Sequence, residues 1–130
     1  MIIRPVSEVE EKVITSLESE GKKIDVGNVK IKWLTHKNLG GYDHTFAVRH
    51  LTIGPGSMIP EHDHEYVEAV FVLKGKLEVS SGGETRTLEP NTLFYVPSFE
   101  PHSAKNLGDE PASVICCINC VGDGENCIPK

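Results

Sequence analysis

From Val29 onward apolar and polar residues alternate with a period of two. Val29, Ile31 and Trp33 stand either side of Lys30 and Lys32, the pattern of a strand with one buried face. Further short apolar runs follow at 45–53, 66–73, 76–80, 85–88, 92–97 and 112–120. Turn residues separate them: Gly40-Gly41, Gly54-Pro55-Gly56, Gly82-Gly83 and Glu89-Pro90-Asn91. Gly82-Gly83, between 76–80 and 84–88, is the clearest hairpin. Many short strands at close spacing predict an all-β chain, folded as an antiparallel sandwich or barrel. The N-terminal stretch reads differently. Ser7-Glu8-Val9-Glu10 fits a capping box, and Val9, Val13, Ile14 and Leu17 fall at helical spacing, which predicts a short helix over 8–18.

A chain of 130 residues is long enough for one core and too short for two. The expected layout is a single domain: an N-terminal arm with the short helix over 1–28, a barrel over 29–120 and a tail over 121–130. No internal repeat or low-complexity segment interrupts it. The longest apolar run, Val114 to Ile118, cannot cross a bilayer. The net charge is −6, with acidic residues spread along the chain, so no basic surface is offered to nucleic acid. The N-terminus lacks the apolar core and cleavage site of a signal peptide, which sets the cytoplasm as the expected location. Cys116, Cys117, Cys120 and Cys127 cluster at the C-terminal end rather than spreading as a disulfide framework. Cys117-x2-Cys120 has no second such pair and no nearby His to make a zinc knuckle. A Cys120–Cys127 bridge closing the loop Gly122 to Gly124 is the other arrangement open to them.

The chemistry concentrates between Gly56 and Gly75, which reads Gly56-x5-His62-x-His64-x3-Glu68-x6-Gly75. His102 follows later, in Pro97-Ser98-Phe99-Glu100-Pro101-His102. Two His at i and i+2 on a strand share a face with Cα atoms about 6.5 Å apart, so both imidazoles can reach one ion at about 2.1 Å. Glu68 would lie about 13 Å beyond His64 on a continuous strand, so the chain must turn near Glu65-Tyr66 and set Glu68 at the start of the next strand. His102 would close the set from another part of the sheet. Three imidazoles and one carboxylate suit one divalent ion per chain, drawn from Mn, Fe, Ni, Co or Zn.

These residues carry a family resemblance. Gly56 to Gly75 resembles the first cupin motif at every fixed position, and Asn91 to Asn106 resembles the second. Pro97, His102 and Asn106 match, whereas Asn91 and Phe99 stand where the family usually has glycine. The resemblance implies a cupin jelly-roll barrel (double-stranded β-helix), with a metal inside held by His62, His64, Glu68 and His102. The two departures bear on local turns rather than on the metal, since His102 is retained. Small cupins often dimerise through sheet edges and an N-terminal arm, so Ile2-Ile3 followed by Pro5 is read as such an arm and a homodimer is expected.

Two strands supply candidate neighbours of the ion. Over 45–53, Ala47, Arg49, Leu51 and Ile53 share one face, and Phe46, Val48, His50 and Thr52 the other. An Arg among inward apolar residues needs a carboxylate or an anionic ligand. Arg49 is therefore a substrate-side cation if its face is inward, as similar small cupins suggest; if the opposite face is inward, His50 takes the cavity position. On the last strand Val114, Cys116, Ile118 and Cys120 form the more apolar set, so Cys116 and Ile118 are placed in the substrate pocket. Cys116 either packs as a small hydrophobe or faces the ion. His36 and His44 are expected at the surface. The expected function is a metal-dependent, oxygenase-like oxidoreductase acting on a small molecule in the barrel. The alternatives are a Lewis-acid isomerase or decarboxylase, or a non-enzymatic binding module.

Overall fold

The two-residue period builds strands almost everywhere it occurs. The computed structural model describes residues 1–130 and contains ten strands. They are β1 (Glu11–Ser19), β2 (Lys22–Thr35), β3 (Phe46–Ile53), β4 (Met58–His62), β5 (Glu68–Lys74), β6 (Leu77–Ser81), β7 (Glu84–Leu88), β8 (Leu93–Val96), β9 (His102–Asn106) and β10 (Ala112–Asn119). All pairings are antiparallel. One sheet has six strands in the order β1-β2-β3-β10-β5-β8, and the other four in the order β4-β9-β6-β7. This is the all-β jelly-roll barrel that the motifs implied.

Alternating residues of both sheets meet in the core. Val29, Ile31, Leu51, Ile53, Val70, Val72, Val114 and Cys116 from the large sheet pack against Leu77 and Val79 from the small one. The inward face of β3 is thus the one carrying Arg49, and His50 lies on the outer face. Register sets Cys116 directly between Arg49 on β3 and Val70 on β5. Burying these apolar faces is the main favourable contribution to folding.

The N-terminal helix is not formed. Only Val6–Glu8 makes a turn of 3-10 helix, and Glu11–Ser19 is β1, hairpinned to β2 through Glu20 and Gly21 at positive φ. β-branched Val13, Ile14 and Thr15 favour the strand, and β2 satisfies its backbone groups. The helix-like spacing has a specific cause: the register shifts between Ile14 and Ser16, opposite Val26, Gly27 and Asn28, and the alternation resets there. Ile14 and Leu17 consequently both turn inward, three residues apart. The sheet therefore begins at Glu11 rather than at 29, and 11–28 is barrel wall rather than arm.

Three turns are fixed by backbone sterics. At Gly75, φ is 92° and a Cβ would sit 2.6 Å from the Ala112 Cβ, so no other residue fits. Asn91 (φ 66°) and Phe99 (φ 62°) occupy the left-handed region that glycine adopts freely. The departures from the motif thus leave the turns intact at a conformational cost, small for Asn and larger for Phe. The Phe99 turn is held by its N–H donating to the His64 carbonyl (2.8 Å) and by Glu100 N–H donating to the Pro97 carbonyl (3.2 Å).

The C-terminal tail is pinned. Cys120 and Cys127 form a disulfide, and Asn126 bridges the Val121 N–H and the Asn119 carbonyl. Lys37 N–H donates to the Cys127 carbonyl, drawing the 36–44 segment under the tail. His36 and His44 are half-buried there rather than exposed. No helix is long and apolar enough to cross a membrane.

Candidate metal centre

Four elements deliver the ligand set. His62 ends β4, Glu68 opens β5, His102 opens β9, and His64 lies in the connection between β4 and β5, two residues past the strand end. The expected turn at Glu65-Tyr66 is present as a bend and returns Glu68 alongside. β4 and β9 pair so that His62 stands directly opposite His102. One ligand atom from each of the four residues lies within 4.8 Å of the others, so the group is able to hold a metal ion.

The backbone pre-orients all three imidazoles in the same way. His62 Nδ1 donates to the Pro60 carbonyl, His64 Nδ1 to the Tyr66 carbonyl and His102 Nδ1 to the Glu100 carbonyl, each at 2.8 Å. That fixes Nδ1 as the protonated nitrogen and leaves the Nε2 lone pairs pointing into the cluster. His64 Nε2 then sits 2.8 Å from Glu68 Oε1, two lone-pair atoms in contact unless a proton or a cation lies between them. His102 Nε2 is 3.6 Å from the same oxygen and is buried without a hydrogen-bond partner. A divalent cation satisfies both conditions, and the donor set is the borderline-hard one suited to Mn, Fe, Co, Ni or Zn.

Charge is tuned to match. Burial works against the Glu68 carboxylate, but the adjoining His102 and His64 imidazoles and the neighbouring Arg49 hold its pKa well below the usual range. Burial also pulls His62 down to about 4, so its imidazole is neutral at ordinary pH. At His102 burial is outweighed by the nearby Glu68 carboxylate and the Glu100 carbonyl, and its pKa is raised.

Beside the centre Arg49 Nη2 lies 3.4 Å from Glu68 Oε2, with the Arg49 side chain only 12% exposed. Its guanidinium carbon is 5.5 Å from the centre of the Trp33 ring, a cation–π distance. Burial opposes its charge, but Glu68, Cys116 and Tyr66 outweigh that and raise its pKa. Cys116 is buried against the same carboxylate, and burial pushes its thiol well above the ordinary range. Arg49 and Cys116 both line a cavity of about 550 Å³ that opens from the ligand cluster, whereas His50 does not. Ile118 shares the inward face of β10 but packs against Ala47 and Cys127 in a separate cluster, outside the cavity lining, because the pinned tail fills that end of the sheet.

Two residues of the site carried no recognised signal in the sequence. Tyr66 stacks on His64 with ring centres 3.7 Å apart and planes 5° from parallel, and it is one of the groups that raise the Arg49 pKa. Its place in the turn between the ligands was the one available clue. Trp33 read only as a strand residue; its contact with Arg49 depends on the register of β2 against β3, where the two are direct partners.

Comparison with known proteins agrees with this geometry. The family model of the cupin domain matches residues 49–118. A curated relative, the polyketide synthase protein CurC of Streptomyces cyaneus, is 40% identical over 62 residues, which is 47% of this chain and 40% of that protein. The chain thus spans well under two thirds of that relative's length. Among solved structures, the polyketide cyclase RemF of Streptomyces resistomycificus superposes with a TM-score of 0.77 at 18% identity, covering 93% of this chain and 80% of that one. A predicted oxalate decarboxylase of Thermotoga maritima superposes at 0.72 with 19% identity, covering 93% and 100%. At such identities these two structures speak for the fold alone. The family match spans more than half of the chain and takes in all four ligands, His62, His64 and Glu68 at their motif spacing and His102 on a separate strand: the chain belongs to the cupin family.

Proposed function

We propose that this cupin is a metal-dependent enzyme, oxygenase-like, that acts on a small molecule held in the barrel lumen. The observation that carries it is the uniform Nδ1 tethering of His62, His64 and His102, which aims three lone pairs and the Glu68 carboxylate at one point bordering a cavity. A divalent ion there would supply open coordination positions and, as Fe or Mn, electrons for O2. The chain's own residues do the rest. Glu68 offsets part of the ion's charge, Arg49 steadies Glu68, and Tyr66 fixes the His64 ring by stacking. The apolar walls keep bulk water from the reacting atoms.

A Lewis-acid isomerase or decarboxylase ranks below this because it needs a base beside the ion. Glu68 is committed as a ligand, and burial raises both Tyr66 and Cys116 so that each keeps its proton near neutral pH. The name of the Thermotoga neighbour, a predicted oxalate decarboxylase, falls in the decarboxylase class. Oxygen uptake by the iron- or manganese-loaded protein, supplied with a panel of small acids and ketones, is the expected result. No uptake with either redox metal, together with turnover of the same panel by the zinc- or nickel-loaded protein, would establish the Lewis-acid reading instead.

We further propose a homodimer, since Ile2, Ile3, Leu93 and Tyr95 leave apolar surface uncovered. Light scattering is expected to give twice the chain mass; a value of 14.3 kDa would overturn it.

A further inference from the structure

The lumen holds two regions of opposite character in contact. One is the ligand cluster with Arg49. The other is a wall of Ile14, Val26, Ile31, Ile59, Phe94 and Val114, contributed by β1, β2, β4, β8 and β10. At about 550 Å³ the cavity has the volume of roughly eighteen waters at about 30 Å³ each. A small polar anion would leave most of that apolar wall facing water, which is unfavourable.

Charge balance specifies the other end of the occupant. Without an ion, Glu68 and Arg49 neutralise one another across 3.4 Å. Once Glu68 serves a divalent cation, the two positive charges of the ion and the one of Arg49 face a single carboxylate, leaving a surplus of two in a low-dielectric lumen. Arg49 also has spare donors, because its Nε is buried without a hydrogen-bond partner. The other charged side chains of the lining, Lys12, Glu18 and Lys130, belong to β1 and the tail, where Lys12 is engaged by the Lys130 carbonyl at 2.7 Å. A planar oxyanion suits the Arg49 fork and offers oxygen to the ion as well.

We propose that the occupant is an amphipathic carboxylate, its acid group at Arg49 beside the ion site and its hydrocarbon body, chain or ring, against the wall from β1 and β2. The contact with the ion and the charge surplus at Arg49 rest on the metal-enzyme reading above; the unpartnered Arg49 Nε and the wall do not.

Trp33 is the single tryptophan and lines this cavity over Arg49, so its fluorescence reports occupancy. Metal-free and zinc-loaded protein are titrated with octanoate, 1-octanol and oxalate, which separate body from charge. Octanoate is expected to bind metal-free protein more tightly than either of the others, and about tenfold or more tightly again with zinc. Arg49→Met is expected to weaken octanoate by about tenfold or more and to leave octanol unchanged, while Lys12→Met alters neither. Arg49→Lys retains a charge for Glu68 and carries the test if Arg49→Met does not fold; a weaker but clear loss for octanoate is expected. Oxalate or octanol matching octanoate, or octanoate indifferent to both Arg49 variants, would overturn the proposal. If zinc binds with no effect on octanoate while the Arg49 dependence stands, the amphipathic carboxylate is upheld and its contact with the ion is removed. If zinc does not bind at all, the metal reading fails alone.

Discussion

Two buried polar sites lie in the same barrel and have opposite economies. Asn106 at the end of β9 is 1% exposed and wholly satisfied. Its Nδ2 donates to the Ile53 carbonyl (2.9 Å) and the Glu110 carbonyl (2.7 Å), and its Oδ1 accepts from Gly108 N–H (2.9 Å). At the other end of the same short strand His102 has a buried Nε2 with no partner, among ligand atoms that repel unless something joins them. A polar group whose bonding is closed by backbone is structural; one whose bonding is left open toward a shared point awaits a further species. Both residues belong to the same motif, so sequence position does not distinguish their roles, and hydrogen-bond accounting does.

The largest test of that contrast is Asn106→Ala. It strands two carbonyls and an N–H in the interior and is expected to cost about 3 to 5 kcal/mol in urea unfolding, with metal content unchanged in the folded protein. His102→Ala and His62→Ala should do the reverse. Metal affinity, read by competition with a chelating dye, falls by at least about tenfold, while metal-free stability moves by less than about 1 kcal/mol. A metal-free protein as damaged by His102→Ala as by Asn106→Ala would erase the distinction between the two ends of β9. The smallest effect concerns the turn that leads into β9. Phe99→Gly relieves a left-handed Phe that is 62% exposed and is expected to raise stability by about 0.5 to 1 kcal/mol. Asn91→Gly, where Asn already tolerates that conformation, should change little, and an equal gain at both positions would count against strain as the cause.

What the sequence disclosed follows the range of the interactions involved. Strand runs and the His62, His64, Glu68 spacing are local, and local patterns survive in a string of letters. The N-terminal hairpin was misread because its register shift near Thr15 depends on β2, and a shifted strand imitates helical spacing. Which face of β3 points inward was undecidable from parity, since Val48 and Leu51 are equally apolar; pairing with β10 settles it in favour of Arg49. Ile118 had the right parity and the wrong depth, because the tail closed by Cys120 and Cys127 covers it. Tyr66 and Trp33 reach the site through stacking and cross-strand register, neither of which leaves a spacing to read.

The N-terminal hairpin also supplies part of the cavity wall. Residues 49–118 carry the family match and the ligands, yet Ile14, Leu17, Val26, Val29, Ile31 and Trp33, which wall much of the cavity, all precede that span. The candidate ligands and the wall are therefore only partly encoded together: Ile59, Phe94 and Val114 lie within the family match, while Ile14, Val26 and Ile31 precede it. Substitutions in β1 and β2 can remodel what the barrel admits while His62, His64, Glu68 and His102 stay as they are, so an exchanged N-terminal hairpin reshapes the cavity without touching the candidate ion site.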